Sequence, residues 1–250
     1  MNSVYTHTEL SDHIIRIDAA DVSAYLAIGS DRAALIDSCE GEGNIAEYAH
    51  TLTDRPLFCI LTHGHMDHIG GAMTVSERYL NPLDFFLARD KASAFLPLAD
   101  GQRFDLGGLH LTALSFPGHT PGSMAILFEE ERTLLLGDAC NPLTFLFFPY
   151  SSSVEEYRRT IIAFRQMHGS RFDKVLFSHF EQAGPEILEE NQRVCDRILS
   201  HKADDIPFTI PRFATEPEKP AIAMAILGHP KERRRADGKV GNIVYIKSSV

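Results

Sequence analysis

The segment His63-Gly64-His65-Met66-Asp67-His68 puts three histidines and an aspartate within six positions, directly after the apolar run Leu57-Phe58-Cys59-Ile60-Leu61. Imidazole and carboxylate are metal-ligating groups. Crowding them at the end of a strand bound for the core costs solvation, and only a strong interaction offsets that cost. A metal ion is the partner these residue types suit. His63 and His65 alternate on an extended chain, so they can aim at one point. Asp67 and His68 follow where the chain turns, so they can aim at a neighbouring point. One metal takes three or four protein ligands, and each pair therefore needs completion from elsewhere.

Three later positions have suitable chemistry in a common setting. His119 sits in the Gly/Pro turn Phe116-Pro117-Gly118-His119-Thr120-Pro121-Gly122-Ser123, Asp138 follows Leu134-Leu135-Leu136-Gly137, and His179 follows Val175-Leu176-Phe177-Ser178. Each places a ligand-type side chain at the tip of an apolar strand. If those tips meet at one sheet edge, His63, His65, Asp67, His68, His119, Asp138 and His179 suit two metals with one shared carboxylate.

The elements that must position them are mostly strands. Short apolar or alternating runs bounded by turn residues predict strands at 13–18, 22–29, 32–37, 57–62, 84–88, 109–116, 123–130, 133–138, 174–179 and 241–247. Helical spacing is expected over 43–52, 90–96 and 185–200, and from His68 to about Arg78 with Asp67 as its N-cap. In 154–168, Tyr157, Ile161, Phe164 and Met167 recur at helical spacing and predict one buried face. Several neighbouring strands are joined by turns too short for a crossover, which disfavours one parallel sheet. Two sheets packed face to face with helices outside fit the order better.

Taken together, His-x-His-x-Asp-His, then Gly-His-Thr-Pro-Gly-Ser, then Gly-Asp after an apolar strand, then a histidine after another, resemble the metallo-β-lactamase superfamily of metallohydrolases. The resemblance runs over nearly the whole chain. Leu35-Ile36-Asp37 is similar to that superfamily's early strand ending in aspartate, and 241–247 to its closing strand. It implies an α/β (α+β) fold, a four-layer αββα sandwich, as a single domain over 1–250 with the site at one edge. It implies that His63, His65 and His119 hold one metal, that Asp67, His68 and His179 hold a second, and that Asp138 bridges them. Asp37 would orient the loop of the main motif from behind. The sequence departs from the pattern at Ser178, where relatives often carry glycine, and at Ser123, where glyoxalase-II-like members often carry histidine.

The reaction expected is hydrolysis of a small-molecule ester, thioester or lactone by a hydroxide shared between two divalent metals, with Asp67 orienting the nucleophile. Zinc is the first expectation for histidine and carboxylate ligands, with iron or manganese as alternatives. A mononuclear iron persulfide dioxygenase of similar fold, using His63, His119 and Asp138, is the second reading. A phosphodiesterase or nuclease is a third. It is disfavoured by the net charge of −10 and by the lack of room for a large insert between Asp138 and His179. A flavo-diiron oxygen reductase would carry glutamate at the position of His65 and a flavodoxin domain. A decayed, non-catalytic site fits poorly with seven filled positions.

Around the core motif, Phe145, Phe147, Phe148 and Tyr150 form an aromatic run that could line an apolar pocket or serve a core or homodimer contact. The basic stretch 229–239 reads as a solvated loop, or else as a clamp for a substrate anion. Cys39, Cys59, Cys140 and Cys195 are far apart, which indicates buried reduced thiols rather than a disulfide framework. No apolar run approaches the roughly 20 residues of a membrane span, and the first ten residues lack a basic segment leading an apolar one. A cytoplasmic protein acting on a small molecule, without nucleic-acid or membrane partners, is the expectation.

Overall fold

The fold is described from a computed structural model, over residues 4–179, 183–203, 205–207, 222–225 and 242–246. Its first sheet runs in chain order through β1 (Thr6–Glu9), β2 (Ile14–Ala19), β3 (Val22–Ile28), β4 (Ala33–Ile36), β5 (Leu57–Ile60), β6 (Arg78–Leu80) and β7 (Leu96–Pro97). β1 to β4 pair antiparallel and β4 to β7 parallel. A second sheet has the order β13-β11-β10-β9-β8, from β8 (Arg103–Asp105), β9 (His110–Ser115), β10 (Met124–Phe128), β11 (Thr133–Gly137) and β13 (Lys174–Phe177). A smaller sheet joins β12 (Thr144–Leu146), β16 (Ile243–Ile246), β15 (Ile222–Ala225) and β14 (Asp205–Pro207). The helices are α1 (Ile45–His50), α2 (Met66–Ile69), α3 (Phe85–Ala88), α4 (Val154–His168) and α5 (Ile187–Leu199).

Side-chain alternation builds four layers from these strands. Ala34 and Ile36 of β4 and Phe58 and Ile60 of β5 meet Met124, Ile126 and Phe128 of β10 in an apolar layer between the two large sheets. Their neighbours Ala33, Leu35, Cys59 and Leu61 face the other way, against Ile45 and Ala49 of α1 and Ile69 of α2. On the far side, Ala125 and Leu127 of β10 and Leu134 and Leu136 pack on Tyr157, Ile161 and Phe164 of α4 and Val194, Cys195 and Ile198 of α5. Each large side chain buried this way contributes about 1.5–3 kcal/mol. α4 starts at a capping box: Ser153 Oγ accepts from Glu156 N–H, and the Glu156 carboxylate accepts from Ser153 N–H. No helix among the described residues is long and apolar enough to cross a membrane.

Three local expectations are corrected. The helix after the main motif is a single short turn, α2, with His65 rather than Asp67 at its N-cap. Its path is set by a close approach: a Cβ on Gly70 would lie 2.2 Å from the Glu40 carbonyl oxygen. The chain then passes through a 3₁₀ turn (Ala72–Thr74) to β6. Residues 84–88, expected as a strand, are helical, because Asn81 caps Leu83 N–H and Pro82 opens a turn that continues into α3. Met167 does not join the buried face of α4; it is 65% exposed, at the end of the helix beyond the core. The basic stretch 229–239 lies outside the described residues.

Candidate metal centre

The loops at one end of the two large sheets bring the expected donors together. His63, His65 and His119 offer ligand atoms within 4.8 Å of one another, and so do Asp67, His68, Asp138 and His179. His63 leaves the tip of β5, Asp138 the tip of β11 and His179 the tip of β13, while His119 comes from the turn between β9 and β10. Strands that are neighbours or that face each other across the core end at the same level, so their tips converge.

In the first group the far side of two rings is fixed. His119 Nδ1 donates to the Phe145 carbonyl at 2.8 Å. Thr62 Oγ1 donates to the Asp37 carboxylate, leaving its oxygen to accept from His63 Nδ1 at 3.2 Å. Both Nε2 atoms are therefore bare, and each lies 3.0 Å from His65 Nδ1. A proton on His65 Nδ1 could serve only one of them, whereas a cation serves all three lone pairs. His65 Nε2 lies 2.7 Å from the Tyr150 hydroxyl. Burial holds His63 well below the ordinary histidine range, lowers His119 and takes His65 to about 3, with the neighbouring imidazoles adding to the effect at His63 and His65. The group is neutral and ready to ligate.

The second group mixes imidazole with carboxylate. His68 Nδ1 donates to Asp37 Oδ2 at 2.8 Å, and His179 Nδ1 to the Asp21 carbonyl at 2.8 Å. That points both Nε2 atoms inward. His179 Nε2 is 3.3 Å from both Asp67 Oδ2 and Asp138 Oδ2. His68 Nε2 is 3.6 and 3.5 Å from the same oxygens and is buried without a hydrogen-bond partner. Burial opposes charge here, but the carboxylates win. They lift His179 to about 10 and His68 well above its usual range, and the histidines hold Asp67 and Asp138 below theirs. Protons stand where a cation would. Asp138 Oδ2 also lies 3.8 Å from His119 Nε2, so this one carboxylate faces both groups. The orphaned His68 Nε2, the facing lone pairs and the donor chemistry all fit metal ions.

Asp37 lies beneath the second group. It is buried, adopts a left-handed backbone (φ 61°), and accepts from Thr62 N–H, Thr62 Oγ1, His68 Nδ1 and Ser178 Oγ. A non-glycine residue held there by four donors is strain maintained by the surrounding structure. Above the donors opens a cavity of about 900 Å³. Phe145, Phe148 and Tyr150 line it, as does Phe86, while Phe147 turns away to pack on Val244. Phe148 and Tyr150 stack with rings 5.3 Å apart and 3° from parallel, and Phe86 meets Tyr150 edge-on. The contact of Tyr150 with His65 and the buried Asp84 escaped the sequence reading. Asp84 could have been suspected as the one acid opening the apolar run 84–88.

Comparison with known proteins agrees with this architecture. Residues 17–84 match the family profile described as Metallo-beta-lactamase superfamily. The "Lactamase-like protein vrtG" of Penicillium aethiopicum is 31% identical over 145 residues, which cover 52% of this chain and 47% of that protein. The "Atrochrysone carboxyl ACP thioesterase" of Pseudocercospora fijiensis is 32% identical over 114 residues, covering 44% of this chain and 34% of that protein. The matched region thus spans less than half the length of these relatives. Among solved structures, a metallo-beta-lactamase from Pontibacter korlensis superposes with a TM-score of 0.63 at 18% identity, over 77% of this chain and 99% of that one. The metallo-beta-lactamase FIM-1 from Pseudomonas aeruginosa, in its mono-zinc form, gives 0.63 at 15% identity, over 78% and 96%. The αββα layers are thus those of the metallo-β-lactamase fold, and residues 17–84, which hold the first four donors, carry that superfamily's profile.

Proposed function

We infer that the protein is a dinuclear metal-dependent hydrolase that cleaves an ester, thioester or lactone with an apolar acyl part. The observation that carries this reading is the pair of adjoining donor groups, faced in common by Asp138, at the floor of an aromatic-walled cavity. His63, His65 and His119 would hold one divalent ion, and Asp67, His68 and His179 the other, with zinc the cation that best suits this donor set. When bound, such ions supply Lewis acidity that activates water near neutral pH and polarises a carbonyl oxygen.

The remaining work belongs to the chain. Asp67 lines the cavity with a carboxylate held ionised by His68 and His179, so it can orient a nucleophilic water through a hydrogen bond. Asp37 and the Asp21 carbonyl fix the inward aim of His68 and His179. Phe86, Phe148 and Tyr150 offer ring faces and edges to an apolar acyl group and exclude water around it. Thioesterases among the relatives support an acyl-transfer substrate.

The test is a panel of acyl thioesters, aryl esters and lactones, with bis(4-nitrophenyl) phosphate alongside. The account expects hydrolysis of carboxylic substrates that falls on the order of 10³-fold on chelation and returns with zinc. Turnover of the phosphodiester alone, or hydrolysis indifferent to chelation, would overturn it.

A further inference from the structure

The geometry points to Asp84 as a positioning residue that holds the His63–His65–His119 group in ligating shape. This role rests on the metal reading above and has a separate outcome in the test below.

Asp84 is fully buried, yet no cation pairs with it among the described residues. Its carboxylate is satisfied by donors from two loops. Gly64 N–H, between His63 and His65, donates to Oδ2 at 2.9 Å. Thr120 Oγ1, next to His119, donates to the same oxygen at 2.6 Å. Gly122 N–H donates to Oδ1 at 2.7 Å. One buried side chain thus ties the loop carrying two histidines to the loop carrying the third. Packing makes the tie rigid: a Cβ on Gly122 would lie 2.7 Å from the Asp84 carboxylate, and one on Gly64 2.9 Å from its carbonyl oxygen. Ser123 Oγ lies 2.8 Å from Thr120 Oγ1 and accepts from Thr120 N–H, which fixes the hydroxyl that Asp84 receives.

The arrangement differs from that of Asp37. Asp37 lies behind His68 and Ser178, the residue before His179, and through Thr62 it also reaches His63, so it backs both groups. Asp84 makes no contact with that group's side chains among its recorded bonds. Asp84 thus stands behind the first group only, so its loss is felt by that group alone. Burying a carboxylate without a cation costs several kcal/mol. Two backbone amides and a hydroxyl offset that cost only in the observed geometry, so the carboxylate dictates where both loops sit.

Asparagine at 84 is nearly isosteric, but either orientation of its amide sets an NH₂ against Gly64 N–H or Gly122 N–H. The experiment titrates the chelated protein with zinc against a chromogenic competitor, for Asp84→Asn and for the milder Thr120→Val. Each is placed in the wild-type, His179→Ala and His119→Ala backgrounds. With His179→Ala, only the first group remains intact, and Asp84→Asn is expected to weaken its zinc by about 10- to 100-fold. Thr120→Val shifts it in the same direction by less. With His119→Ala, neither change moves the zinc held by the second group. Should Asp84→Asn fail to fold, Thr120→Val decides the matter. Equal weakening in both backgrounds would show general loosening and overturn the role, as would no weakening in either. A wild-type chain that takes up no zinc would instead overturn the metal reading, and the role of Asp84 with it.

Discussion

Asp138→Asn is expected to lower turnover by on the order of 10³-fold and to weaken metal binding at both donor groups at once. The reason is its central place. One oxygen lies 3.3 Å from His179 Nε2, 3.5 Å from His68 Nε2 and 3.8 Å from His119 Nε2. No other carboxylate of the site is recorded within ion-pair distance of both groups. Replacing it by an amide keeps the shape but removes the charge that two cations would share. His179→Ala is the comparison, since it strips one imidazole from the second group and leaves His63, His65 and His119 intact. Activity and metal content measured side by side separate the two. An Asp138→Asn enzyme that keeps its metals and works within tenfold of wild type would remove Asp138 from the shared position.

The second large effect is the pH dependence of the metal-free protein. His63, His65 and His119 sit below their unfolded value near 6.5, so the unfolded chain binds more protons than the fold once pH drops beneath it. Their stabilisation is present above pH 6.5 and is lost as pH falls, by up to about 1.4 kcal/mol per group per pH unit. His68 and His179 run the other way. Their folded values are raised, His179 to about 10, so their stabilisation is complete below 6.5 and is lost as pH climbs toward 10. The chelated protein should therefore melt at its highest temperature near pH 6.5 and at lower temperatures on both sides. Metal bound at the second group would replace its protons, so the loaded protein should hold its melting temperature above pH 7, and loading at pH 8 should release protons into weak buffer. A chelated protein whose stability rises steadily to pH 9 would contradict this assignment of charges.

Much of this site could be read before the fold was known, for a physical reason. Each donor follows an apolar run with a strand signature, and strands in packed sheets end at common levels, so a motif at one tip implies neighbours at the others. The same alternation that buries Ala34 and Ile36 on one face and Ala33 and Leu35 on the other placed the layers. What was not legible depends on contacts between distant segments. The helix at 68–78 fails because Gly70 must pass against Glu40, which no local propensity records. Asp84 looked like the start of a strand because its partners are Gly64, Thr120 and Gly122, 20, 36 and 38 residues away. Tyr150 reads as one more aromatic in a run until the fold brings its hydroxyl to His65, 85 positions earlier. Phe147 and Phe148 are adjacent and alike in type, yet one packs on Val244 while the other lines the cavity.

The central claim is that two cations occupy these two donor groups, and metal content per chain tests it most directly. Protein purified without added metal is measured by plasma mass spectrometry, beside His179→Ala. The account predicts about two divalent ions per chain, zinc foremost, falling to about one in the variant. A single iron per chain, with oxygen consumption on thiol persulfides, would contradict it in favour of the mononuclear dioxygenase, and a chain that holds no metal would contradict it outright.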